Sequence, residues 1–499
     1  MNILNKSDIK QLVLLFVASL IVSLPYFLYS PKQGMMAVLV LMILAMLHKT
    51  IFLVAGIYSL LINSFFMHLV TTWGGDSLVS RIQASYESAT YERWEYFKTY
   101  IGITDIVMTL GYINVALFVI YIVVKKLELS SFARKISLVV SVLTVVASLL
   151  IFPTLETLKN FQLVHLPLTM YTTHNNLSVI NKRSTFLQTA EDTKISCPNS
   201  FDKIIFIQGE SANKHHMSVY GYERKTTPFF DSIKPYTFDA IAPANQTRFA
   251  IPIELTDATV ENFDVFYKDK SIVSKLSSCG YTTHWISNQG KTGEFDTTIT
   301  SIAKEADHTY FLNDLDYTTA GLDGNVLKTL DSIDTKTPEK QAFFIHLLGS
   351  HFSYADRYPA DKAFMQGDDV VTHYDNSIHY TDWVISEIYK RFPNENALYI
   401  YLSDHSEVVQ KGGHGYSPSF KGEYEIPLVM WGKEQQRLST LFEETKGKLL
   451  NTESLNHIIE YLTGINDAMD VSYSTKVVSV IPGNVVDYST LLKYKKGKN

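Results

Sequence analysis

Three stretches near the amino terminus, QLVLLFVASLIVSLPYFLY (11–29), IFLVAGIYSLLINSFFMHLV (51–70) and IVMTLGYINVALFVIYIVV (106–124), each run for about twenty residues without a formal charge, the length a helix needs to cross a bilayer. Hydrocarbon offers the backbone no hydrogen-bond partners, so a chain can place such runs in lipid only as helices. MMAVLVLMILAML (35–47) and ISLVVSVLTVVASLLIF (136–152) are shorter, and with them the sequence predicts about five spans. The 35–47 run also fits a re-entrant or buried helix, so the count depends on it. These runs account for a chain of 499 residues being 46% hydrophobic, more than an ordinary soluble protein needs. A cleaved signal peptide is not expected, because several spans follow the first and no small-residue cleavage site stands out after it.

Lys and Arg positions give the orientation. Lys6 and Lys10 precede the first span, Lys49 follows the second, and the loop KKLELSSFARK (125–135) is compact and basic, whereas 71–103 mixes charges. Basic loops stay in the cytoplasm, so five crossings leave everything after about Phe152 outside, in a bacterium the periplasm. Residues 1–152 are thus read as a transmembrane anchor domain with an interfacial segment at about 71–103, rich in Trp and Tyr. Residues 153–200 form a bridging, partly helical linker, and 201–499 form the outer domain. Net charge is only −6 and no basic stripe interleaves with aromatics, which excludes nucleic acid as the expected partner. Two cysteines, Cys197 and Cys279, fit neither a disulfide-rich scaffold nor a Cys-based zinc finger, and would pair only in an oxidising compartment.

From residue 201 short runs of Ile, Val, Phe and Tyr alternate with longer mixed segments, the pattern of a mostly parallel sheet covered by helices. Several runs end in reactive polar residues. KIIFIQGES ends in Glu210 and Ser211, YTTHWISNQGK in Asn288 and Lys291, AFFIHLLGSH in Ser350 and His351, and ALYIYLSDH in Asp404 and His405, with His414 after a glycine pair. Ligands of open α/β sheets bind at the carboxyl ends of strands, so these side chains are expected along one crevice. Glu210, Asp404 and His405 are the oxygen and nitrogen ligands a catalytic zinc recruits. Two nucleophiles remain open on these grounds: Ser211, and Thr247 in PANQTRFAIPIELT, where a helix amino terminus would favour a phosphorylated intermediate.

IIFIQGESANKHHMSVYGYERKTTPFFD (204–231) strongly resembles the signature of bacterial phosphoethanolamine transferases, members of the alkaline phosphatase and sulfatase superfamily. The resemblance covers nearly the whole chain: five spans, the Glu motif, a downstream threonine, GSH, and SDHSE with a later His. It implies a fold with an amino-terminal helical transmembrane domain of about five spans and a carboxyl-terminal α/β alkaline phosphatase-like domain. Position by position, it implies metal ligands at Glu210, Asp404 and His405, with Thr247 as nucleophile and further ligand, spaced before Pro252 as in lipid A-modifying members. Ser211 becomes a neighbour. Catalytic or phosphate-contacting roles fall on His351 and His414, and substrate contacts on Asn288 and Lys291. His215, His216, His284, His346, His373 and His379 keep plain structural or surface readings.

The implied activity is transfer of phosphoethanolamine from phosphatidylethanolamine to an envelope glycolipid or glycan (lipopolysaccharide lipid A or core) through a phosphothreonine-type intermediate. The implied cofactor is Zn²⁺, one ion firmly expected and a second left open, in a multi-pass inner-membrane protein. The scarcity of cysteine departs from the disulfide-rich lipid A-modifying members and favours those that modify lipopolysaccharide core or periplasmic glucan. Two rivals share these features: a phosphoglycerol transferase using phosphatidylglycerol, and a catalytically silent membrane sensor of the same fold. A sulfatase needs a Cys/Ser-x-Pro-x-Arg sequence for formylglycine conversion, and none is present.

Overall fold

The computed structural model describes residues 5–29, 31–73, 90–151, 183, 185–187, 195, 197–198, 201–290, 298–313, 321–392, 396–433, 436–480 and 484–495. The chain divides into two units, one of Met1–Tyr86 with Tyr100–Asn175, the other of Glu87–Thr99 with Asn176–Asn499.

In the first unit every one of the five apolar runs folds as helix: Lys6–Val22 with Leu24–Tyr29, Pro31–Leu47, Lys49–Trp73, Ile103–Lys126 and Ser131–Ile151. Among the described residues, one helix, Ile103–Lys126, is long and apolar enough to cross a membrane by length and composition, and Gly34–Leu47 and Lys49–Ser64 are shorter apolar helices. Pro25 explains the break in the first run, since a residue without an N–H and with a ring in the preceding turn interrupts the helical ladder. The Val22 carbonyl at that break accepts instead from Asn63 Nδ2 at 2.5 Å and Tyr112 Oη at 2.6 Å, so polar side chains of two helices converge on one orphaned backbone group of a third. Of the 71–103 segment, 74–89 lie outside the described residues, and Thr90–Tyr100 is a helix whose residues through Thr99 belong with the second unit. Most of 153–200 also lies outside the described residues.

The second unit is built on an eight-stranded sheet. Its strands are β1 Lys203–Gly209, β2 Tyr236–Ile241, β3 Thr282–Ser287, β4 His308–Phe311, β5 Gln341–His346, β6 Ala397–Ser403, β7 Pro427–Gly432 and β8 Leu450–Asn451, in the order β4-β3-β5-β1-β6-β7-β2-β8. All pairings are parallel except β6 with β7 and β2 with β7, so the sheet is mixed but mostly parallel. Both faces are covered, which is why β1 is buried along its whole length. Its Ile204 and Phe206 pack into one apolar core, and Ile205 and Ile207 into another on the opposite face. Cys197 and Cys279 form a disulfide, joining the end of the linker to the residue after helix Ile272–Ser278.

Candidate active site

Strand register places the first ligands side by side. β1 lies between β5 and β6, with Gly209 opposite Ser403 on β6 and Gln208 opposite His346 on β5. The next residues, Glu210 and the pair Asp404 and His405, therefore leave the sheet together at its carboxyl edge. Glu210 Oε1 is 3.2 Å from His405 Nε2 and Asp404 Oδ2 is 3.4 Å from the same nitrogen. One donor atom from each of the three residues lies within 4.8 Å of the others.

Thr247 comes to this cluster from the other side of β6, as the first residue of helix Thr247–Leu255. Its Oγ1 donates to Glu210 Oε2 at 3.0 Å and lies 3.2 Å from His405 Nε2. The side chain is half-buried and open to a reactant. Ser211, the rival nucleophile, is wholly buried, with its Oγ donating to Glu210 Oε1 at 2.8 Å.

Charge in the cluster is tightly balanced. Burial alone would raise the Glu210 carboxyl, but His405 beside it, helped by His351 and His414, holds it well below the usual range. Burial and then the Glu210 charge push Asp404 up. Burial alone would lower His405, yet Asp404 and Glu210 push it up to about 10. Two carboxylates and an imidazole held this close away from water are stabilised by positive charge at their centre. Asp404 Oδ2 is buried without a hydrogen-bond partner among the described residues, so the set retains a donor atom aimed inward. These residues fit a zinc ion in number and type.

The His414 ring packs against His405 with centroids 3.9 Å apart and planes tilted by 43°, and the His351 ring lies 6.2 Å from that of His414. His414 Nδ1 is 3.2 Å from Glu407 Oε1, and the other Glu407 oxygen accepts from Tyr354. Burial, against the opposing Glu210 charge, pushes His351 down to about 4.

Asn288 is not brought to the cluster: it is buried, its amide donating to Gly321 O and Asp323 Oδ1, both at 2.8 Å. Its neighbour Gln289 reaches Glu210 instead, Nε2 to Oε2 at 3.4 Å, and sequence reasoning passed it over although it lies in the turn just after the same strand. Lys291 lies outside the described residues. His216 pairs with Asp375 at 2.7 Å and His215 faces solvent beside Glu425. A second grouping, Asp257, His457 and Glu460, already holds a cation, because Lys275 Nζ sits 2.9 Å from Asp257 and 2.7 Å from Glu460.

A mostly parallel sheet with carboxylates and an imidazole at its carboxyl edge, facing a threonine on a helix terminus, defines an alkaline phosphatase-like domain. Residues 202–470 match the Sulfatase family model, and the chain belongs to that family. It spans about half the length of two Escherichia coli relatives it matches at 30% identity over 266 residues, 51% of this chain and 47% of theirs. The Escherichia coli phosphoethanolamine transferase EptC is 25% identical over 417 residues, 73% of this chain and 70% of that protein. Two solved structures share the fold. The periplasmic domain of Escherichia coli EptC, in complex with Zn, superposes with a TM-score of 0.53 at 24% identity, covering 60% of this chain and 95% of that one. The integral membrane phosphoethanolamine transferase EptA of Neisseria meningitidis gives a TM-score of 0.63 at 15% identity, covering 93% of this chain and 96% of that one.

Proposed function

We propose that this chain is a membrane-anchored phosphoethanolamine transferase of the bacterial inner membrane, its catalytic domain in the periplasm. It would move phosphoethanolamine from phosphatidylethanolamine to an envelope glycolipid or glycan. The observation that carries this is the Thr247 hydroxyl within hydrogen-bonding reach of both Glu210 and His405, in a chain whose relatives bear that activity in their names.

Zn²⁺ held by Glu210, Asp404 and His405 would supply the Lewis acidity that makes a threonine hydroxyl nucleophilic near neutral pH. Thr247 Oγ1 gives its proton to solvent and attacks the donor phosphorus. The bond to the diacylglycerol oxygen breaks, and that oxygen takes a proton from His414, leaving phosphoethanolamine esterified to Thr247. The acceptor hydroxyl then attacks the same phosphorus, giving its proton to His351, which burial keeps neutral at pH 7. The bond from phosphorus to Thr247 Oγ1 breaks, that oxygen takes a proton back from solvent, and exchange with water reloads His414 and unloads His351 for the next cycle. Lys291 would stabilise charge on the phosphoryl group.

The apolar amino-terminal helices give such an enzyme its reason to be anchored. A soluble enzyme would have to draw a lipid tail out of the bilayer at about 0.8 kcal/mol per CH₂ exposed. The disulfide between Cys197 and Cys279 suits an oxidising compartment outside the cytoplasm.

Full-length protein in vesicles given headgroup-labelled phosphatidylethanolamine or phosphatidylglycerol tests the donor. An adduct of phosphoethanolamine mass on Thr247 is expected only with the first lipid. A phosphoglycerol adduct would reassign the enzyme, and no adduct with either would leave a silent sensor. Mass spectrometry of envelope glycolipids and glucans from cells with and without the gene names the acceptor.

A further inference from the structure

Among the described residues, no side-chain hydrogen bond orients the His351 ring. Its Nδ1 is buried without a partner among the described residues, and its ring rests on Phe352 at 4.2 Å. The direction of the imidazole is therefore set by the backbone of the loop 347–357 that carries it. The first half of this loop is pinned from within the catalytic fold. Asp323 accepts from the N–H groups of Leu348 and Gly349, both at 2.8 Å, and Ser350 N donates to Glu210 O at 2.9 Å.

The second half is pinned by a different part of the chain. Arg357 Nε donates to Phe352 O at 3.3 Å, and its Nη2 makes an ion pair with Glu95 on helix Thr90–Tyr100. The side chains of this pair are 1% and 8% exposed, so a full charge on each is withdrawn from water and each depends on the other. Burial pushes the Glu95 carboxyl up and Arg357 pulls it back down. Four residues on, Thr99 Oγ1 is 2.8 Å from Ser353 Oγ. Ser353 has φ of +65°, a left-handed conformation that a serine adopts only when its surroundings hold it there. Helix Thr90–Tyr100 thus meets the loop at two points, Ser353 and Arg357, both after His351 in the chain.

We propose that Glu95, acting through Arg357, and Thr99, acting through Ser353, are positioning residues for His351, so that a helix lying in sequence just ahead of the apolar helix Ile103–Lys126 is a working part of the active site. Neither touches the reacting atoms; both act through the loop. This deepens the proposed function, since it rests on His351 as the group that accepts the acceptor's proton.

The test uses the full-length protein in vesicles with Zn²⁺ and labelled phosphatidylethanolamine. Glu95→Gln keeps the shape and hydrogen-bonding capacity but removes the charge, and Glu95→Asp keeps the charge. The expected result for Glu95→Gln is a fall in kcat of about tenfold, with KM for the donor within twofold, zinc content unchanged, and faster deuterium uptake in 348–357 but not in β1. Glu95→Asp should recover most of kcat. Thr99→Val, which loses only one exposed hydroxyl, should shift kcat and uptake the same way by a smaller factor.

An unchanged kcat in Glu95→Gln, a change in KM alone, or zinc loss in step with kcat would overturn the proposal. If Glu95→Gln does not fold, Thr99→Val decides alone: unchanged uptake in 348–357 refutes the proposal. The exchange measurement needs no donor lipid. Protein that transfers no phosphoethanolamine but shows the loop loosening would sink the proposed function and leave the positioning role standing.

Discussion

The hydroxyl of Thr247 donates to Glu210 across 3.0 Å, joining a helix terminus to the end of a strand 37 positions earlier in the chain. The same Glu210 carboxylate also accepts from Ser211 and lies 3.2 Å from His405, so one side chain links the nucleophile candidate to the ligand set. Its backbone serves as well, since its carbonyl accepts from Ser350 N at the start of the loop that carries His351.

Replacing Thr247 with Ala should reduce transfer to background and abolish the covalent adduct in an intact-mass measurement. Ser211→Ala should keep the adduct, because the buried Ser211 hydroxyl is committed to Glu210. An adduct undiminished in Thr247→Ala would remove this residue as nucleophile.

Metal removal has a definite sign. A cation bound by the folded state and not by the unfolded chain stabilises by about 4 kcal/mol at a thousandfold excess over Kd. Chelation should lower the Tm of the wild type and stop transfer, and Zn²⁺ should restore both. In Glu210→Gln or His405→Ala the chelator-induced shift in Tm should shrink towards zero, with zinc per chain falling in elemental analysis.

Gly349 has φ of +55°, and a Cβ there would meet the Glu210 carbonyl oxygen at 2.5 Å. Both the conformation and the space exclude a side chain. Gly349→Ala should displace the Glu210 backbone and weaken zinc binding at least about tenfold, by the measure of groups that orient metal ligands. Zinc titration with a competing chelator gives the number.

Glu407 holds His414 Nδ1 and takes a hydrogen bond from Tyr354. Glu407→Gln should lower kcat by about 10- to 100-fold and slow formation of the Thr247 adduct in step, because the His414 ring that protonates the leaving diacylglycerol oxygen is no longer held. A Thr247 adduct that still forms in an undiminished burst would place Glu407 elsewhere in the chemistry.

Acid should destabilise the catalytic unit through two buried histidines. Burial pushes both His284 and His346 down to about 4. Each is neutral in the fold, so as pH falls the unfolded chain takes up protons first. Stability tied to these residues is intact above about pH 6.5 and drains away toward about 4. Neither nitrogen of His284 has a hydrogen-bond partner among the described residues, and its ring stacks between His308 and Phe343, each 4.9 Å away. His284→Phe should raise stability by about 1 kcal/mol near neutral pH and flatten part of the acid decline in Tm. An acid profile identical to wild type would contradict this.

Much of the site was legible in the chain. Glu210, Thr247, Asp404 and His405 lie in motifs whose order and spacing point to one chemistry, and the structure brings all four together. The strand-end argument that singled out Asn288 stopped one residue short of Gln289, because alternation along a strand does not say which residue of the following turn faces the crevice. Glu95 carried no signal at all: it is one acidic residue in a polar, aromatic segment, and its importance lies in a partner 262 positions away.

The sequence by itself determined which segments become helix and which become strand, because local apolar periodicity and the demand for satisfied backbone groups act within each segment. It also determined that several strands end in ligand-type residues. Only the tertiary structure decided that β1 lies between β5 and β6, with Gly209 opposite Ser403, and hence that Glu210 meets Asp404 and His405. Strands that are apolar on both faces can pair in many orders at similar local cost. The choice among them rests on contacts far apart in the chain, and so does the buried ion pair of Glu95 with Arg357.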